Sequence, residues 1–91
     1  MAYDPSNLSA LAYANGFTLW HYRTSDSWTA LSEQGYFNEA AAMLRVGDMI
    51  HANSDILVNP RHGIVVVLAN SGGVVDARYL SDPIGLRAYT P

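Results

Sequence analysis

The chain has 91 residues, of which 49% are hydrophobic and 14% charged, with a formal net charge of −3. That length accommodates one domain with a thin core, and the composition excludes a charge-rich disordered chain. The five basic residues are all arginines scattered along the sequence and there is no cysteine, which excludes disulfides and thiolate metal sites and offers no basic stripe for a nucleic acid.

Residues 1–15 read as an N-terminal arm. Asp4-Pro5-Ser6-Asn7 is a turn cluster, and "LSALAYA" is too short for an isolated helix. The segment has neither a positive leader region nor a long apolar stretch, and the longest apolar run, Ile64–Ala69, falls far below the ~20 residues that span a bilayer. A soluble chain with no membrane partner is expected.

After Gly16, "FTLWHYRT" predicts a strand rich in aromatic and β-branched residues. Alternation places Phe17, Leu19, His21 and Arg23 on one face and Thr18, Trp20, Tyr22 and Thr24 on the other; both carry large apolar groups, so both are expected to be covered at least in part. "SDSWTALSEQG" holds a possible helical turn. The main helix is expected from Asn38, a good N-cap, through Arg45 to a stop at Gly47, pinned by Tyr36, Phe37, Met43 and Leu44. "MIHA" is a short strand, and "ILV" another candidate, stopped by Asn59-Pro60. Two β-rich runs, Ile64–Ala69 and Val74–Leu80, flank Asn70-Ser71-Gly72-Gly73 and predict a hairpin whose first strand, apolar on both faces, is central. "LRAYTP" adds a last edge segment.

These elements predict a mainly β domain over 16–91, a β-sandwich or small barrel-like antiparallel sheet with one short α-helix; α+β is the alternative. Phe17, Leu19, Tyr36, Phe37, Leu44, Ile50, Val65 and Val67 are the expected core.

No catalytic pattern stands out. His21, His51 and His62 lie on separate segments without ligand spacing, "NSGG" leads into a strand and not a phosphate-binding helix, there is no GxSxG nucleophile turn, and Glu39 and Asp48 are explained by the ends of the expected helix. Neither an enzyme nor a metal or cofactor site is expected. Low charge, arginine in place of lysine, and ten aromatic rings on a thin core favour a domain held against other subunits. Tyr3, Tyr13, Trp28 and Tyr89, with Arg61 and Arg87, are the expected partner-binding residues.

The run "FTLWHYRTSDSWTALSEQGYFNEAAAMLRVGDMIHA", followed by "GIVVVLANSGGVVD", resembles small proteins of tailed bacteriophages related to head-decoration (capsid cement) and head- or tail-fibre proteins. Their recurring pattern is an aromatic strand, a "GYFN-A-A-L-VGD-I" segment and a "VVNSGGVVD"-like hairpin. The resemblance covers Phe17 to Asp76. It implies a virion structural protein assembled in the bacterial host cytoplasm, with the major capsid protein as partner, and a homo-oligomer, a trimer above others, on the capsid surface. A fibre or tail module contacting a host surface is the alternative; the chain carries no long shaft, which favours decoration.

Overall fold

The computed structural model describes residues 3–86. Within them the chain forms one six-stranded sheet: β1 (Leu8–Ala14), β2 (Phe17–Arg23), β3 (Met49–Ser54), β4 (Arg61–Ser71), β5 (Val74–Tyr79) and β6 (Ile84–Gly85). The strands lie in the order β1-β2-β3-β4-β5, with β6 alongside the start of β4. All pairings are antiparallel except β2 with β3, which run parallel in the register Leu19 with Met49 through Arg23 with Asn53. The expected β-rich class with one short α-helix is thus what the chain adopts, as a single mixed sheet in place of an antiparallel sandwich or barrel. Among the described residues, no helix is long and apolar enough to cross a membrane.

A parallel pair cannot be joined by a hairpin, so the chain must cross over between β2 and β3. That crossover, residues 24–48, lays a four-residue helix α1 (Trp28–Leu31) and a 3-10 turn (Asn38–Ala40) on one face of the sheet. Beneath it pack Trp20 and Tyr22 of β2, Ile50 and Ala52 of β3, Val65 and Val67 of β4 and Val75 and Ala77 of β5, with Leu31, Phe37, Ala40 and Leu44 supplied by the crossover. Four rings, Tyr3, Tyr22, Tyr36 and Phe37, form the densest part of this core, with centroids 4.9 to 6.3 Å apart.

The expected helix from Asn38 is not an α-helix. Asn38 does not cap it; its Oδ1 accepts from the backbone N–H of Val75 at 2.8 Å, while Gly35 N–H donates to the Val75 carbonyl at 3.0 Å. The carboxamide serves the unpaired edge of β5, and the chain after it runs through turns. Asn70 Nδ2 takes the resulting loose carbonyls of Ala41 and Leu44, at 2.8 and 2.7 Å.

Two glycine sites fix the second hairpin. Gly72 and Gly73 have φ of 61° and 83°, the left-handed pair that a two-residue turn between twisted strands requires. The predicted hairpin is therefore present, with β4 running two residues further into the loop than expected, to Ser71, and β5 starting at Val74 as expected. At Gly63 a Cβ would stand 2.7 Å from Tyr79 Cε1 and 2.9 Å from Pro83 Cβ, so only glycine lets that ring and the β5–β6 connection close over β4.

Three further expectations are corrected. The described part of the expected arm, residues 3–15, belongs to the sheet: Asp4 caps a short 3-10 turn, Tyr3 is buried, and Leu8–Ala14 pairs with β2 from Leu8–Tyr22 to Ala14–Phe17. "ILV" is a turn, with Leu57 and Val58 at 80% and 84% exposure, because Asp55 adopts φ 53° and bends the chain out of the sheet. Phe17 and Leu19 are not in the core, since the crossover covers the Thr18, Trp20, Tyr22 side of β2 and leaves them on the other face. Phe37, Leu44, Ile50, Val65 and Val67 are buried as expected, and Tyr36 packs against them half-buried.

Candidate functional site

Polar groups under the crossover are tied into structure. Asp48, fully buried, accepts from Thr18 N–H at 2.9 Å, from Trp20 Nε1 at 3.0 Å and from Arg45 N–H at 3.0 Å. Its carboxylate joins the start of β2 to the end of the crossover, a use unrelated to any pairing with Glu39. A second chain of bonds runs from Asp4 N–H to the Tyr22 hydroxyl, from Tyr22 to the Tyr36 hydroxyl, and from Tyr36 to buried Asp26 at 2.5 Å. Burial first, and then donation to Asp26, push the Tyr36 phenol far above its usual range, so it stays protonated and keeps donating.

The opposite face of the sheet is different in kind. Alternation and register place on it Ala12 and Ala14 of β1, Phe17, Leu19, His21 and Arg23 of β2, Met49, His51 and Asn53 of β3, and His62, Ile64, Val66 and Leu68 of β4. Asp76 and Arg78 of β5 close it off as an ion pair at 3.4 Å. Among the described residues no helix or strand is stacked on this face; its larger side chains are partly buried, the β5–β6 connection lies beside His62 and Ile64, and Leu68 is 52% exposed. An apolar surface of this extent with few charges has the character of an interface centre.

The three histidines meet here. His21 and His51 are partners in the parallel register, and the His51 and His62 rings lie 5.6 Å apart between centroids, tilted by 34°. His62 Nδ1 is 2.7 Å from Asn53 Oδ1, an acceptor, so in the neutral ring Nδ1 carries the proton and Nε2 is left as the acceptor. Burial, and then the proximity of His51 and His21, hold the His62 imidazole below its ordinary value of 6.5. Beside it, His62, Ile64, Leu80, Asp82 and Ile84 line a hollow of about 230 Å³. Among the described residues no group of three or more His, Cys, Asp or Glu is arranged to hold a metal ion.

The expected partner-binding residues do not form one site. Tyr3, at 6% exposure, stacks on Tyr22 inside the core and is unavailable to a partner, because the turn capped by Asp4 folds it inward. Trp28 is half-buried edge-on against Tyr79, 5.9 Å away, and anchors α1 to β5. Tyr13 is 70% exposed on β1 with the Arg45 guanidinium 5.3 Å from its ring centroid. Arg61 is half-buried at the start of β4, between β3 and β6. Arg87 and Tyr89 lie outside the described residues. The open face was missed as a site because its members come from five strands, and the parallel pairing that aligns His21 with His51 has no local sequence signal.

No protein-family model matches the chain, and neither a curated protein nor a solved structure matches it.

Proposed function

We propose that the protein is a capsid decoration protein of a tailed bacteriophage, docking through its open sheet face onto the major capsid protein of the assembled head. The observation that carries this reading is the asymmetry of the sheet: one face is sealed by the crossover, while Phe17, Leu19, Met49, Ile64, Val66 and Leu68 make the other an apolar, sparsely charged surface with no helix or strand stacked on it among the described residues. The sequence resemblance supplies the partner.

In this role the protein binds and does not catalyse. A ligand that recognises only the assembled shell stabilises it by mass action, about 2.7 kcal/mol per site at a free concentration one hundred times its Kd. Many copies on a closed lattice, as trimers at its symmetry points, would then resist the pressure of packaged DNA with a modest contribution from each.

Particles made without the protein are expected to lose DNA at a lower temperature than complete particles, and purified protein added back should restore the difference. Equal heat tolerance with and without it would count heavily against decoration. Antibody labelling confined to the tail or a fibre tip would replace it with a host-binding role.

A further inference from the structure

All three histidines of the chain stand in one patch of the open face, brought together by three different strands. Two cross-strand rows place them. One runs Ser9, His21, His51, Ile64; the other runs Arg23, Asn53, His62, Ile84. The patch adjoins the apolar row Ala12, Leu19, Met49 and Val66, the next along the strands.

We propose that His21, His51 and His62 make the open face proton-sensitive: neutral, they are part of an apolar docking surface, and charged, they release it. This rests on the docking reading above and assigns its regulation.

The physical case is one of desolvation and like charge. A neutral imidazole is half apolar and tolerates a dry interface; an imidazolium does not unless an anion meets it. The surroundings offer little such compensation. On β1, Ser9 beside His21 is uncharged; on β2, Arg23 adds a positive charge; on β3, Asn53 is neutral and already holds His62. On β5, Asp76 is engaged by Arg78, and on the β5–β6 connection Asp82 lines the hollow next to His62. Among the described residues, a single peripheral carboxylate, that of Asp82, faces three sites of protonation. His62 already resists its proton in the free protein, through burial and then through His51 and His21, and docking would bury all three rings further and strengthen that resistance.

The sign follows from linkage. A histidine whose pKa is depressed in the docked state binds fewer protons there, so docking is at full strength while the rings are neutral and weakens as pH falls through the range in which the free protein takes up those protons, which for His62 lies below 6.5. Each proton that must leave on docking costs about tenfold in affinity per pH unit below the free pKa. An acidic partner patch would give the reverse sign.

The test measures binding of the purified protein to heads assembled without it, at pH 7.5 and 5.5. The wild type is expected to bind at least about tenfold more weakly at pH 5.5, and the variant carrying His21→Asn, His51→Asn and His62→Asn to bind alike at both. Equal wild-type binding at the two pH values, or tighter binding in acid, would overturn the proton-sensitive row and leave the docking reading intact. No binding at pH 7.5 would remove the docking reading and this inference with it. As a check that does not depend on the triple variant folding, NMR titration of the wild-type protein should show the His62 ring titrating below 6.5, and in the single variant His51→Asn that ring should move upward; a His62 ring that titrates at its ordinary value and is indifferent to His51→Asn would count as refutation.

Discussion

The two faces of this sheet are built from similar residue types and have opposite fates. On β2 alone, Trp20 and Tyr22 point under the crossover and Phe17 and Leu19 point away from it. Nothing in the strand's own alternation favours one side, since both carry large apolar groups. The crossover decides, and it decides through polar groups: Asp48 and the Tyr22–Tyr36–Asp26 chain hold it over one face, where the Trp20 indole N–H and the Tyr22 hydroxyl meet them, groups that Phe17 and Leu19 lack. The lesson is that on a sheet with two apolar sides, satisfied buried hydrogen bonds select the core face, and hydrophobicity alone does not.

The largest effect should come from the sealed face. Phe37 is nearly fully buried and meets Tyr3, Tyr22 and Tyr36, so Phe37→Ala should cost about 3–5 kcal/mol in chemical denaturation. A loss under about 1 kcal/mol would mean that the aromatic cluster is not the core.

Next comes the polar clamp. Asp48→Ala leaves the N–H groups of Thr18 and Arg45 and the Trp20 indole N–H without their acceptor. Hydrogen bonds to a charged group are individually strong, and stranded buried donors add a penalty, so about 2–4 kcal/mol is expected. Trp20 reports on it directly: its fluorescence should shift if the indole loses its buried partner. Unchanged stability and unchanged emission would show that the crossover is held by packing alone and that buried polar groups do not choose the core face.

What was legible in the sequence divides along the same line. The Gly72-Gly73 turn could be read because positive φ is a local demand that glycine meets locally. β2 and β4 could be read because β-branched and aromatic runs favour a pleated surface wherever they end up. The stretch from Asn38 to Gly47 was misread because its helix signals are equally the chemistry of caring for a sheet edge: Asn38 serves Val75, and Asp48, three residues beyond Arg45, accepts the Arg45 amide and closes the turn. Tyr3 was misplaced because its neighbours Asp4 and Pro5 announce a turn without saying which way the preceding ring will face. The histidine patch was out of reach for a topological reason. His21 and His51 become neighbours only through the parallel pairing of β2 with β3, and parity within each strand says nothing about which strands adjoin.

The smallest expected effect on stability is the sharpest test of the contrast between the faces. Leu19 and Tyr22 lie on the same strand, but Leu19 is only partly buried beside Met49 on the open side, while Tyr22 is fully buried. Leu19→Ser removes apolar surface already in part hydrated and strands no buried partner, so the isolated protein should lose no more than about 1 kcal/mol. The same change puts a hydroxyl into the middle of the docking surface, where dry contact should make it costly, and binding to heads assembled without the protein should weaken by about tenfold or more. A variant destabilised as severely as Phe37→Ala would show that something covers Leu19 in the free protein, and a variant that docks as well as the wild type would show that the partner uses another surface. Near-normal melting combined with lost docking is the result that separates a face built for folding from a face left open for a partner.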